Sequence, residues 1–168
     1  PVWWAVRGET RLAGAARPGP ECDFHDLRAE SGLDAIVSLT DDNSYDCSPL
    51  RRTIILLEDL YARSGPTDPA SELGLVQQAV TTVRELLDRR LGVLVHCAGG
   101  TGRTGTVIGA VLVSYGIEAP TVAAWLDEVH RLRGNSGWPE SPWQRDVLHR
   151  FTPAPDQSSP DAPPGTSR

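Results

Sequence analysis

A buried strand that runs through a glycine-rich turn into a helix is the feature that most constrains the fold of this chain. The strand is the apolar run Val93–His96, and the turn Cys97–Gly102 contains three glycines. The helix Arg103–Tyr115 follows directly. Because ligands of open α/β sheets bind beyond the carboxyl ends of the strands, this unit predicts both an α/β fold and the position of its site.

Strands and helices alternate along the rest of the chain. The clearest helix has apolar residues at spacings of 3 and 4, with Asp68 as N-cap and Pro69 at its first position. Apolar runs and turn residues predict strands at Val2–Val6, Arg11–Ala13, Ala35–Leu39 and Thr53–Leu57, and helices at Asp23–Ser31, Ala70–Arg90, Thr121–Leu132 and Pro142–Phe151. We therefore expect a mostly parallel, twisted sheet with helices on both faces.

The length and composition fit one globular domain with a tail. Of the 168 residues, 39% are hydrophobic and 23% charged, which excludes a wholly disordered chain. Residues 153–168 contain five prolines and almost no apolar side chain, so they are expected to be disordered. The sequence predicts a single catalytic domain over 1–152 and a tail over 153–168.

Charge and cysteine content exclude several classes of partner. The net charge of −6 disfavours binding to nucleic acid or to an acidic membrane surface. No apolar run approaches the roughly 20 residues of a membrane span, and the amino end lacks a secretion signal, so we expect a cytoplasmic protein. Cys22, Cys47 and Cys97 are odd in number and lack metal-site spacing, which predicts free thiols.

The glycine-rich turn has the parts of an anion site. Its glycines allow successive N–H groups to point into one concavity, and the following helix adds its positive end. A cysteine at the base of such a nest is favoured as a thiolate nucleophile. Arg103, six residues after Cys97, offers a planar fork to two oxygens of a phosphate. Main-chain groups of Ala98, Gly99, Gly100, Thr101, Gly102 and Arg103 are the predicted substrate-binding set.

This motif resembles a known signature. His96 followed by Cys97-x5-Arg103-Thr104 is similar to the loop of the cysteine-dependent protein tyrosine and dual-specificity phosphatases, and most similar to their small, bacterial dual-specificity-like branch. The resemblance implies hydrolysis through a phosphocysteine intermediate, without metal or cofactor. It also implies that His96 supports the loop backbone and that the Thr104 hydroxyl donates to the sulfur as it leaves.

The same resemblance implies an aspartic acid upstream that protonates the leaving group. Asp59 directly follows the predicted strand Thr53–Leu57 and lies 38 residues before Cys97, so it is our first candidate. Asp68, 29 residues before Cys97, is the competitor, although a role as helix N-cap also explains it. Glu58 is disfavoured, since strand alternation points it the other way.

The segment Glu140–Gln144 resembles the loop in which family members carry a glutamine facing the pocket. Gln144 is expected either to orient the hydrolytic water or to lie on the surface, and Glu140 is expected either to face the pocket or to cap the last helix. Tyr61 and Arg63 either contact substrate or remain solvated. Trp138 and Trp143 are interpreted as packing residues.

Other functions are compatible with parts of the pattern. Gly100-x-Gly102-x-x-Gly105 matches a dinucleotide fingerprint, but no strand with an acidic end follows about 20 residues later, so we reject that reading. A non-catalytic phosphate-binding module, an arsenate reductase and an inositol phosphate phosphatase remain as alternatives. Because no lysine lies within 98–102, phosphotyrosine or mixed protein substrates are favoured over inositol phosphates.

Overall fold

The computed structural model describes residues 2–6, 11–41, 45–61 and 65–153. The predicted tail falls outside these ranges from residue 154 onward, as does Arg63. Within the described ranges, no helix has the length and apolar character needed to cross a bilayer.

Five strands form one sheet, which is mostly parallel as expected. The strands are β1 (Trp3–Val6), β2 (Leu12–Ala16), β3 (Ala35–Ser38), β4 (Arg51–Ile54) and β5 (Val93–Cys97). Their order across the sheet is β1-β2-β5-β3-β4, and only the β1–β2 pair is antiparallel. The strand that ends at Cys97, β5, is therefore the central strand, with β2 on one side and β3 on the other.

Helices cover both faces of this sheet, but unequally. The helices are α1 (Phe24–Ser31), α2 (Pro69–Asp88), α3 (Gly102–Ser114), α4 (Ala119–Leu132) and α5 (Pro142–Leu148), followed by a 3₁₀ turn at His149–Phe151. The larger core packs α2 to α5 against one face, while α1 covers the other face with a smaller cluster. Helix α3 is the centre of the larger layer, since nearly all of its side chains are buried.

Caps define three helix ends, of which the N-cap predicted at Asp68 is confirmed. Asp23 caps α1 by accepting hydrogen bonds from the N–H groups of His25 and Asp26. Gly32 ends the helix in the left-handed conformation, with φ of 64°. Asp68 caps α2, and Pro69 is its first residue.

The predicted buried strand Thr53–Leu57 is wrong in both its bounds and its burial. The strand is β4, Arg51–Ile54, and it lies at an edge of the sheet. Ile55 and Leu57 are buried, but Ile54 and Leu56 are 39% and 49% exposed. A continuous apolar run indicates cover on both faces, but β4 lies at the sheet edge and none of its four residues is buried.

Two further bounds differ from expectation. β2 extends to Ala16, beyond the predicted end at Ala13, because the residues up to Ala16 pair with β5. Their side chains are small and form no strand-like pattern, so the sequence does not predict this extension. At Gly14 a side chain would collide with the ring of Trp3, so the small residue is needed there. The predicted last helix divides into α5 and the 3₁₀ turn.

Candidate active site

The predicted nucleophile lies at the end of the central strand. Cys97 is the last residue of β5 and is 2% exposed. The chain then turns within four residues and begins α3 at Gly102. The N–H of Gly100 donates to Cys97 Sγ at 3.2 Å. A main-chain donor directed at the sulfur favours negative charge on it, as the anion nest predicted from the glycines requires.

The turn is seated directly on the end of β2. Gly100 has φ of 71°, a conformation that favours glycine, and a Cβ there would collide with the main chain of Ala15 and Ala16. The N–H of Arg17 donates to the carbonyl of Ala98 at 3.2 Å. Gly100 is thus fixed by its conformation and by the close approach of a neighbouring strand.

Three side chains from the segment after α4 hold the outer side of the loop. Arg133 Nη1 donates to Gly100 O at 3.2 Å, Asn135 Nδ2 to Thr101 Oγ1 at 3.0 Å, and Trp138 Nε1 to Gly102 O at 3.3 Å. Two of these bonds bind carbonyl oxygens, so they fix the orientation of the glycine peptides. Sequence analysis assigned none of these roles, because a glycine-rich turn has no periodicity from which to place its polar side chains.

A buried histidine supports that arrangement. His130 is fully buried and its Nδ1 lies 2.8 Å from Arg133 Nη1. Burial, together with the nearby charge of Arg133, lowers the pKa of His130 to about 4. The ring is therefore neutral at neutral pH and accepts a hydrogen bond from the guanidinium, which orients Arg133 toward Gly100.

His96, for which the resemblance implies support of the loop backbone, contacts the main chain of Cys97 and the side chain of Tyr45. It is fully buried, and its Nδ1 lies 3.4 Å from the carbonyl oxygen of Cys97. Its Nε2 lies 2.6 Å from the hydroxyl of Tyr45, whose ring stacks on Phe24. Tyr45 was not selected from the sequence, since it is an isolated aromatic residue in a turn-like segment.

Arg103 connects the turn Cys97–Gly102, called the phosphate loop below, with the segment that carries the candidate acid Asp59. Its Nη2 donates to Asp59 Oδ2 at 2.9 Å, and its Nη1 donates to the carbonyl of Leu57 at 3.4 Å. The Arg103 side chain is 12% exposed, whereas that of Asp59 is 59% exposed. The two residues chosen from the sequence as clamp and acid are therefore in direct contact, and the acid faces solvent.

Asp68, the competing acid, is occupied at the start of α2. Its carboxylate accepts from the N–H groups of Ala70 and Ser71 and from the Ser71 hydroxyl, the last at 2.7 Å. The Ser71 hydroxyl bond and the two main-chain bonds lower the pKa of Asp68. A carboxyl group held ionised in this way is poorly suited to donate a proton.

Glu140 and Gln144 both lie between the start of α5 and the turn after Cys97. Gln144 is 2% exposed, so it is not a surface residue, and its Oε1 accepts from the N–H groups of Glu140 and Ser141 at the start of α5. The Glu140 carboxylate instead accepts from the N–H of Gly102, and burial raises the pKa of Glu140. A side chain at Gly102 would collide with both Glu140 and Gln144. Both therefore border the phosphate loop.

The remaining predicted groups lie at the rim or beneath the loop. Ala98 and Gly99 are exposed. Tyr61 is 70% exposed, and its N–H donates to Asp59 Oδ1 at 3.4 Å. The hydroxyl of Thr104 is buried, and among the described residues it has no hydrogen-bond partner, so the expected bond to Cys97 sulfur is not formed in this structure.

Several carboxylates share the charge of Arg103. Asp59 is bonded to it, and the charge of Arg103 opposes the burial that raises the pKa of both Glu72 and Glu140. Across the described ranges, no group of three or more His, Cys, Asp or Glu side chains is arranged to hold a metal ion. Arg103 is the cation that these acids have in common.

The motif and this geometry agree with a comparison against protein families. The family described as "Swiss Army Knife protein, DSP-PTPase phosphatase domain" matches residues 4–138, which is more than half of the chain. This chain belongs to that phosphatase domain family. A comparison with curated protein sequences found no match.

Solved structures of phosphatases share the fold of this domain. PTPMT1 superposes with a TM-score of 0.64 and 17% identity, covering 89% of this chain and 93% of that one. The catalytic core of the PP-IP phosphatase SIW14 from S. cerevisiae gives 0.61 and 17% identity, covering 86% and 81%. TpbA from P. aeruginosa gives 0.55 and 19%, covering 83% and 80%. At such identities the likeness concerns the fold.

The described topology differs from that of a dinucleotide-binding fold. A dinucleotide fold needs a further strand after the helix that follows the glycine-rich turn. In the described part of this chain α3 leads into α4, and β5 is the last strand.

Substitution of Gly100 by alanine should disrupt the phosphate loop of this domain. The added methyl group meets the main chain of β2 and requires an unfavourable φ, so we expect Gly100→Ala to lose most of its affinity for orthovanadate and its phosphatase activity. Gly99→Ala is the matched control, since a Cβ at Gly99 meets nothing within 4 Å. Equal effects of the two variants would contradict the close seating of Gly100.

Proposed function

We propose that this domain hydrolyses phosphomonoesters, with phosphotyrosine in proteins as its main substrate and phosphoserine or phosphothreonine as further ones, through a phosphocysteine intermediate. The contact that carries this proposal is the Gly100 N–H bond to Cys97 sulfur. It supports a thiolate at the base of a ring of main-chain donors, next to a guanidinium. That combination binds an anion and attacks it.

The first step transfers the phosphoryl group to sulfur. The Cys97 thiolate forms a bond to phosphorus while the bond from phosphorus to the ester oxygen breaks in line with it. N–H groups of 98–103 and the Arg103 fork bind the three equatorial oxygens, and their stabilisation is greatest in the transition state. Thr104, one residue further on, is proposed to donate to the sulfur when the intermediate breaks down.

Asp59 donates a proton to the leaving oxygen. For this, Arg103 must exchange Asp59 for phosphate oxygens. An ion pair with so exposed a carboxylate is worth at most about 1 kcal/mol, whereas two charge-assisted bonds from a guanidinium to phosphate are stronger. The exchange is therefore favourable, and it frees Asp59 next to the ester oxygen.

The second step returns the thiolate. Water attacks phosphorus, its proton passes to the Asp59 carboxylate, the bond from sulfur to phosphorus breaks, and phosphate leaves. Gln144 is our candidate for orienting this water, since its amide oxygen caps α5 while its amide nitrogen lies toward Gly102. The Glu140 carboxylate also borders Gly102 and is a second candidate, with Gln144 fixing the main chain of Glu140.

Local charge supports protein substrates over densely charged ones. Structural neighbours include PTPMT1 in complex with PI(5)P and a PP-IP phosphatase, so a lipid or inositol substrate is the second candidate. In this chain the carboxylates of Asp59 and Glu140 lie beside Arg103, and residues 98–102 contain no lysine. Several phosphates on one ligand would meet repulsion rather than additional cations.

The cysteine positions argue against arsenate reduction. That chemistry requires partner thiols near the attacking sulfur. Cys22 and Cys47 pack with the cluster on the α1 face of the sheet, while Cys97 belongs to the core on the opposite face. Burial is also the main cause of the raised pKa of the Cys22 thiol, which makes it a weaker nucleophile.

Replacement of Cys97 by serine should abolish turnover and retain binding. The hydroxyl is a much poorer nucleophile, but the main-chain donors and Arg103 are unchanged. We expect no detectable hydrolysis of p-nitrophenyl phosphate and preserved binding of phosphate in a calorimetric titration. Undiminished hydrolysis would reject the nucleophile, and an inactive wild type that still binds phosphate would identify a binding module.

Replacement of Asp59 by asparagine should act mainly on poor leaving groups. An amide cannot donate the proton, so hydrolysis of alkyl phosphates is expected to fall by about 10² to 10⁴, the usual contribution of an acid catalyst, with a much smaller loss for p-nitrophenyl phosphate. Asp68→Asn is the control, and we expect it to lower the melting temperature slightly without this selectivity. The reverse pattern would assign the acid to Asp68.

A substrate panel tests the protein preference. With phosphotyrosine peptide, phosphoserine peptide, PI(5)P and an inositol pyrophosphate compared at equal concentration, kcat/KM should be highest for the phosphotyrosine peptide. It should be lowest for the inositol pyrophosphate, because that ligand has the most negative charge. Higher kcat/KM for either inositol compound would reverse the assignment.

A further inference from the structure

A carboxylate is buried beneath the segment that carries the candidate acid. Glu72 lies in the first turn of α2 and is 6% exposed. It interrupts the buried face of that helix, which continues with Val76, Ala79 and Val80. Acidic side chains are almost never buried to this extent without a partner.

Among the described residues, the hydrogen-bond partner of Glu72 is the main chain of Glu58. Glu72 Oε1 accepts a hydrogen bond from the N–H of Glu58 at 3.0 Å. Glu58 directly precedes Asp59, so this bond fixes the peptide that leads into the acid. A main-chain donor next to a catalytic side chain determines the direction in which that side chain leaves the backbone.

Two further sets of contacts act on the same short stretch. The carbonyl of Leu57 accepts from Arg103, which also binds Asp59. The Glu58 carboxylate accepts from the N–H and the hydroxyl of Thr67, at 2.8 and 2.9 Å. Glu72 joins this stretch to the first turn of α2, and Arg103 joins it to the first turn of α3.

Burial of Glu72 has a cost that an apolar residue would avoid. Desolvation raises the pKa of Glu72, and the bond from Glu58 and the charge of Arg103 only oppose that effect. Folding therefore favours the protonated form, so the ionised carboxylate makes the fold less stable as the pH rises. A methionine would fill the position without this cost. The carboxylate thus supplies a contact rather than core stability.

We propose that Glu72 is a positioning residue for the acid of this phosphatase, holding Asp59 in line with the leaving oxygen through the N–H of Glu58. This inference rests on the proposed function, in which Asp59 protonates the leaving group. Glu72 itself touches neither the substrate nor the reacting atoms. It acts on the rate only through Asp59.

The test compares Glu72→Met with Glu72→Gln. Methionine has a similar length and no comparable acceptor, whereas glutamine retains an oxygen that accepts from Glu58. For Glu72→Met we expect kcat on an alkyl phosphate to fall by about 10 to 100-fold, part of the usual contribution of an acid, and kcat on p-nitrophenyl phosphate to change little. Glu72→Gln should restore the alkyl phosphate rate. Glu85→Met, at an exposed position of the same helix, is the matched control.

A second measurement separates positioning from general damage to the fold. In the Asp59→Asn background, Glu72→Met should cause no further loss on the alkyl phosphate, because the group that it positions is already absent. Equal losses on both substrates, a further loss in the Asp59→Asn background, or a Glu72→Gln variant as slow as Glu72→Met would overturn the proposal. Failure of the proposed function is distinct, since it would appear as hydrolysis that survives Cys97→Ser.

Discussion

The close contact between Gly100 and the end of β2 is the constraint on which the site depends. It requires a glycine with positive φ in the loop, because a Cβ at Gly100 would meet the main chain of Ala15 and Ala16. With Gly100 seated there, its N–H faces Cys97 sulfur and its carbonyl faces Arg133. A single residue thus donates to the predicted nucleophile through its N–H and is anchored to Arg133 through its carbonyl.

That constraint explains which parts of the structure the sequence could reveal. The strand, turn and helix around Cys97 are local, and their apolar runs and glycines are strong signals. β2 gave a weak signal, because the feature that matters there is the absence of side-chain volume. The bounds of β4 were wrong, since an apolar run does not tell an edge strand from a central one.

Some site residues could likewise be predicted from local sequence signals, and others could not. Cys97, Arg103 and Asp59 follow from a motif and from the end of a predicted strand, and the fold brings the latter two into contact. Asn135 and Tyr45 act from turns that have no periodicity, so only the folded chain shows what they touch. For Glu140 and Gln144 the sequence located the right segment. The sequence does not show which of the two caps α5, because that depends on the direction of each side chain.

In this structure, carboxylates bind the Arg103 guanidinium and the Gly102 N–H, two groups that bind phosphate in the proposed reaction. Asp59 binds Arg103, and Glu140 accepts from Gly102. Neither contact needs much free energy to break. Asp59 is mostly exposed, so its pair with Arg103 contributes at most about 1 kcal/mol. Burial raises the pKa of Glu140, so the site holds its ionised form less favourably than water does. In the proposed reaction a phosphate dianion presents more charge to the same donors than either carboxylate does, so we expect substrate to displace both and to leave them next to the bonds that must break and form.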